Sequence, residues 1–320
     1  MSSSLPSLSS LHIVTIALLA IVVAASTLSS SSFRPSQQCT PHDQPNPIAQ
    51  VYPMNATGLL NATLAVIPIP LATARTIVPA KWPILVHVYE ALFASLGVPF
   101  PADHYPLFVQ AGLDHDIQLA AYNMSIPDFQ RAGYEFPFVD LLGDNYTSFR
   151  WAPHQIITAS NSGAVVGSRA YGTDVTPVDA FEPACDAYQK NGDETVFKGT
   201  ASESQVSMAL AFKALPSTPS SGFPLDLFRN MTNQPSFANG SVCDNQIRLF
   251  DSAYFWGTKD AALLPRPVMG SVQSTDFAPL TGKQNFQGVY GWQISTPFTE
   301  NNYLNCGSFQ GYDGIDLPGY

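Results

Sequence analysis

The chain has 320 residues and a net charge of −10, with only 12% charged residues against 45% hydrophobic. That charge content is about half the usual share of roughly 25% for soluble proteins. With no Lys/Arg run to track a phosphate backbone, nucleic acid is excluded as a partner. Twenty-seven prolines exclude an architecture of long helices, while the apolar fraction suffices for a sizeable core.

Taken in chain order, Ile13–Ala25 is an apolar run closing on small residues. Its length suits a signal peptide over residues 1–25, with an uncleaved signal anchor as the rival reading. The expected compartment is the secretory lumen or the exterior, with membrane contact only through this segment. Residues 26–50, rich in Ser, Pro and Gln, read as a flexible stalk. Residues 51–320 read as a single β-rich domain without internal repeat.

Within it, strands are expected at Leu60–Pro70, Pro106–Gly112, Tyr134–Gly143, Ser148–Ala159, Ala164–Tyr171, Gln205–Leu215, Asn245–Gly257 and Phe286–Ser295. In the Gln205–Leu215 strand, Val206, Met208, Leu210 and Phe212 share one face and Lys213 lies on the other. One helix is expected around Ile84–Gly97, its apolar stripe formed by Ile84, Leu85, Val88, Ala91, Leu92 and Leu96, with His87 packed beside it. A second short helix is expected within Asp179–Lys190, and a polar surface insertion over residues 216–244. The fold class is mainly β: a closed or partly open antiparallel barrel or cone with one or two short helices.

Six sequons, at Asn55, Asn61, Asn123, Asn145, Asn230 and Asn239, suggest glycans supplying the solubility that charge does not. The four cysteines, Cys39, Cys185, Cys243 and Cys306, suit two disulfides in any of three connectivities. None has zinc-ligand spacing, and no phosphate loop or nucleophile elbow is present, so no metal or cofactor is expected. Asp114, His115 and Asp116 are consecutive. On a strand the two carboxylates would share a face, although an Asp-rich turn after Gly112 is the simpler reading.

The stretch VVGSRAYGTDV (Val165–Val175) begins as an apolar run and continues into Arg169, Tyr171 and Asp174. It resembles the acetoacetate decarboxylase family and its fungal secreted relatives, in which an apolar-Gly-Arg strand leads to an aromatic and then to paired lysines. Gly167, Arg169 and Tyr171 match the Gly, Arg and aromatic. Thr73–Leu85 and the strand-turn-strand Thr195–Lys213 are similar to the family's flanking segments, as is Tyr254–Val268. The lysine pair is missing, because Gly172-Thr173-Asp174 follows Tyr171. An amine nucleophile is thereby lost, unless Lys198 or Lys213 enters the same hollow.

The resemblance implies a barrel cavity that binds, and in a tailoring enzyme transforms, a small keto- or carboxylate-containing metabolite. Arg169 would hold a carboxylate or enolate, Tyr171 would donate a hydrogen bond, and Asp174 or Asp116 would act as base. The alternatives are a non-catalytic ligand-binding glycoprotein and an extracellular surface protein whose polar residues here are turn residues.

Overall fold

A computed structural model describes residues 39, 45–216, 222–250 and 265–312. The expected signal segment, most of the stalk and most of Tyr254–Val268 lie outside the described residues. The elements begin with β1 (Ala56–Pro70), α1 (Leu71–Ile77), α2 (Val86–Ser95), β2 (His104–Leu119), β3 (Met124–Ile126), β4 (Phe129–Asp140) and β5 (Ser148–Thr158). They continue with α3 (Ser162–Ala170), β6 (Asp174–Val178), β7 (Ala180–Glu182), β8 (Gln189–Asn191), β9 (Glu194–Thr200) and β10 (Ser207–Ala214). The last are α4 (Leu225–Asn233), β11 (Ser236–Phe237), β12 (Cys243–Arg248), β13 (Arg266–Phe277) and β14 (Leu280–Leu304).

The protein is mainly β, as expected, and its strands form one large sheet. The order β1-β2-β4-β5-β11-β12-β14 returns to β1 through a β1–β14 pairing, so seven strands make a ring. The 25 residues of β14 serve three partners: Leu280–Gln293 pairs β13, Tyr290–Glu300 pairs β1, and Phe298–Leu304 pairs β12. The strands β13-β10-β9-β7 form a wing beyond the ring. Antiparallel pairs dominate, but β5 lies parallel to both β6 and β11, so the sheet is mixed rather than antiparallel throughout.

Side-chain alternation explains most of these strands. In β10, Val206 at its lead-in and Met208, Leu210 and Phe212 are buried, while Lys213 points outward. Strand β1 is buried over nearly its whole length, because it is paired on both edges and covered on both faces. Pro137 interrupts β4, whose register shifts between Phe136 and Val139. The freed Phe138 N–H donates to Gln234 Oε1 at 2.9 Å.

Several expectations are corrected. The described residues contain four α-helices instead of one or two. Helix α2 is present, but it buries Tyr89 and Phe93, with Leu85 buried at its N-cap, and His87 is exposed with Nε2 3.1 Å from the Asn145 carbonyl. The aromatic rings decide the face: Tyr89 packs on Tyr105 and Phe138, at 6.1 and 5.8 Å between centroids. Ala164–Tyr171 is the helix α3 rather than a strand. Asn161 caps it, accepting from the Ala164 N–H at 2.9 Å, and its valines are too few to sustain a strand against that start signal. The helix expected within Asp179–Lys190 is absent, because Pro183 follows Glu182 and ends the short strand β7.

The described part of the expected insertion, from residue 222 to 244, is not a surface excursion. Within it α4 buries Leu227, Phe228 and Met231 completely, an amphipathic pattern hidden by the surrounding Ser and Pro. Ile48 and Ala49, expected in the stalk, are buried, so the folded body begins before residue 51. The disulfides are Cys39–Cys185 and Cys243–Cys306, with Cα atoms 5.2 and 5.1 Å apart. They fit an oxidising, extracellular or secretory compartment. Among the described residues no helix is long and apolar enough to cross a membrane.

Candidate functional site

The interior of the strand ring is polar. Asp114 on β2, Arg131 and Glu135 on β4, Arg150 on β5, Asp244, Gln246 and Arg248 on β12, and Glu300 on β14 converge there. Gln246 and Arg248 follow Asp244 at two-residue steps, so a single strand face delivers all three. Bonds cross the lumen between strands that are not neighbours. Arg131 Nη2 donates to Gln246 Oε1 at 3.0 Å, and Arg248 Nη2 donates to Gln110 Oε1 at 2.6 Å. Arg150 and Arg248 both donate to the carbonyl of Thr232 in the last turn of α4, so that helix closes one side of the network.

Two arginines are matched by carboxylates. Arg131 makes a two-pronged pair with Asp114, at 2.7 and 3.0 Å, and Arg150 Nε lies 2.8 Å from Glu135 Oε2. Burial works against the Arg131 charge, but Asp114 overrides it and holds the guanidinium proton more tightly than usual. Arg248 is fully buried and, among the described residues, has no carboxylate at pairing distance. Burial, then repulsion from Arg150 and Arg131, lowers its pKa to about 9.

Asp244 and Glu300 face each other. Burial raises the Asp244 carboxyl well above the carboxylate range, and the nearby Glu300 charge and hydrogen bond raise it further. Glu300 is also raised, again by burial first, with Arg131 opposing. Two like carboxyls this close in a weakly solvated site disfavour ionising together. Beside them, burial and then the negative charge of Asp244 and Glu300 hold the Tyr171 phenol protonated. Its hydroxyl donates to Asn302 Oδ1 at 2.5 Å and accepts from the Tyr303 N–H at 3.2 Å, while its ring stacks on Tyr303 at 5.0 Å.

These groups border a cavity of about 140 Å³. Gly163, Ala164, Gly167 and Ser168 of α3 form one of its walls, with Asp114, Arg131, Glu135 and Arg150 on another. A space of that order accepts a six-carbon ring. A carboxyl pair of raised pKa beside a neutral phenol in such a space can give a proton to one atom of a ligand and take one from another.

Of the residues expected to form the site, only Tyr171 reaches this cavity. Arg169 is exposed on α3 and spends Nη2 on the Val175 carbonyl at 2.9 Å. Asp174 is exposed at the start of β6. Asp116 lines a separate outer groove and lies 3.1 Å from His115 Nδ1. The Asp-His-Asp run lies in β2 rather than in a turn, yet its two carboxylates do not share a face. Asp116 takes φ +49° next to a register shift, which breaks the alternation, so only Asp114 turns inward.

Lys213 is exposed and paired with Asp193 at 2.9 Å, Lys198 is exposed, and no lysine is among the residues lining the cavity. Arg131, Glu135, Arg150, Asp244, Arg248 and Glu300 escape a motif search, since they belong to no contiguous pattern. The signal is their position at inward steps of apolar strands in a charge-poor chain. The sequence matches no protein-family model and no characterised protein.

Proposed function

We propose that this chain is a secretory-pathway glycoprotein whose strand ring binds a small keto compound of the secondary-metabolite type and enolises it by acid–base exchange. The observation that carries this reading is the Asp244–Glu300 carboxyl pair in the wall of the cavity, both groups raised by burial. In the proposed step, the ionised carboxyl removes a proton from the carbon beside the carbonyl. The protonated carboxyl gives its proton to the carbonyl oxygen. One proton enters the pair as one leaves, so the product is the enol and the pair ends with its charge unchanged.

Charge balance favours a keto group over a carboxylate as the recognised feature. Both arginines lining the cavity are already matched by Asp114 and Glu135, so an incoming anion meets no uncommitted cation there. The ring of strands and the strand-turn-strand β9–β10 support an acetoacetate decarboxylase-like barrel. The helical state of Ala164–Tyr171 counts against the segment on which that resemblance chiefly rests. A cavity wall without lysine among the described residues fits a relative that has lost imine chemistry.

The test is deuterium exchange at the carbon beside the carbonyl, followed by NMR on a panel of small ketones and keto acids. The full chain should exchange a neutral ketone, and Asp244→Asn or Glu300→Gln should slow exchange by about 10²-fold or more. Binding without catalysis is the second reading, favoured by the closed internal pairing of Arg131 and Arg150. It predicts ligand-induced thermal shifts with no exchange. A panel that neither shifts nor exchanges defeats both.

A further inference from the structure

An open groove of the described surface lies at the β2–β3 hairpin. It measures about 440 Å³ and is lined in part by Cys39, Gln50, Asn123, Met124, Ile126 and Asp128. Its lining includes Asp116 and Asp128, but exposed apolar side chains gather at and near its rim. Tyr122, Met124 and Ile126 are 55, 44 and 42% exposed, and Val51 and Met54 are 58 and 65% exposed. The Ala121 N–H donates to the Pro53 carbonyl at 2.8 Å, which ties the hairpin to the turn carrying Val51 and Met54. No charged residue occurs from Ile117 to Pro127. Clustered exposed apolar side chains of this kind are normally covered.

The cover is indicated by a residue of the groove itself. Asn123 begins the sequon Asn123-Met124-Ser125, is exposed, and ends the Ala120–Tyr122 turn at φ +50°, ψ +43°. Its backbone N–H donates to the Ala120 carbonyl at 3.1 Å, which fixes the attachment point at the edge of the groove. A sugar ring has an apolar face of C–H groups and a rim of hydroxyls. The first suits Tyr122, Met124 and Ile126, and the second suits Gln50 and Asp128.

We infer that an N-linked glycan on Asn123 folds back into this groove and shields its apolar side chains, acting as a covalent part of the surface. The inference rests on the secretory compartment proposed above and is independent of the chemistry in the ring. Asn145 and Asn239 are also exposed sequon residues, but neither borders this groove, so they serve as internal controls.

The experiment expresses the full chain in a glycosylating secretory host and maps site occupancy by mass spectrometry. It then compares Ser125→Ala with Asn145→Asp and Ser241→Ala, each of which removes a glycan at an exposed position. Ser125→Ala should raise apolar-dye fluorescence several-fold and lower Tm by about 2–4 °C, with little change in the other two. Adding Met124→Thr to Ser125→Ala should return the dye signal toward that of the wild type. Glycans at Asn145 and Asn239 with Asn123 bare would overturn the inference while leaving the compartment standing, and no glycan anywhere would overturn both. An occupied Asn123 whose removal leaves dye binding and Tm unchanged, or a groove covered instead by a second copy seen in sedimentation, would also overturn it.

Discussion

Arg131 and Arg150 are each answered by one carboxylate, whereas Asp244 meets another carboxyl, so the Asp244–Glu300 contact governs the ring's response to pH. Burial and mutual repulsion raise both acids in the folded chain, so it keeps protons that the unfolded chain releases above about pH 4. Their contribution to stability is complete below that pH and is lost as pH rises through the raised folded-state values. His154 acts in the opposite sense: burial lowers its pKa, so its contribution is complete above about pH 6.5 and is lost on acidification. Asp244→Asn should therefore lessen the fall in Tm as pH rises above about 4, the His154 and Arg248 contributions being common to both proteins. Asp114, Arg131, Glu135, Arg150 and Tyr171 remain in place in both proteins. An undiminished fall would mean that folding does not raise the two carboxyls.

At the scale of elements, α3 combines a weak hold on the ring with a small-residue face toward the cavity. Val165 is its one buried apolar side chain, packed with Ile157 and Val175 apart from the main core. Gly163 and Gly167 keep the space beneath it open, and a Cβ at Gly167 would meet nothing within 4 Å. Gly172, just past the helix, is needed for another reason. It has φ +86°, and a Cβ there would lie 2.3 Å from Asn239 Nδ2. Gly167→Leu should stabilise the chain by about 0.5–1 kcal/mol through helix propensity. The same change should abolish ligand-induced thermal shifts and exchange by filling the mouth, and gains in both stability and exchange would remove α3 from the site. This helix was also the least legible element in the sequence, since two valines imitate a strand and only the Asn161 cap distinguishes it. Strands such as β1, β5 and β10 were readable because their apolar runs or alternation survive without context. Residues of the site were not, because Glu300 on β14 and Asp114 on β2 meet only after the ring closes.

For the whole molecule, the Cys243–Cys306 bond ties the start of β12, next to Asp244, to the turn that follows β14. Replacing both cysteines by serine should cost about 4 kcal/mol, by the loop-entropy account, in urea denaturation. Exchange should weaken as well, since the strands bearing Asp244 and Glu300 lose their tie. A stability loss with unchanged exchange per folded molecule would show that the ring alone sets their spacing. The pairing of β1 with β14 sets Ala56 against Glu300, two positions that leave the ribosome far apart in time. The first strand must therefore wait for almost the entire described chain to emerge before it gains its second neighbour, and a nascent chain lacking β14 holds half a site with its carboxyl partner still unmade.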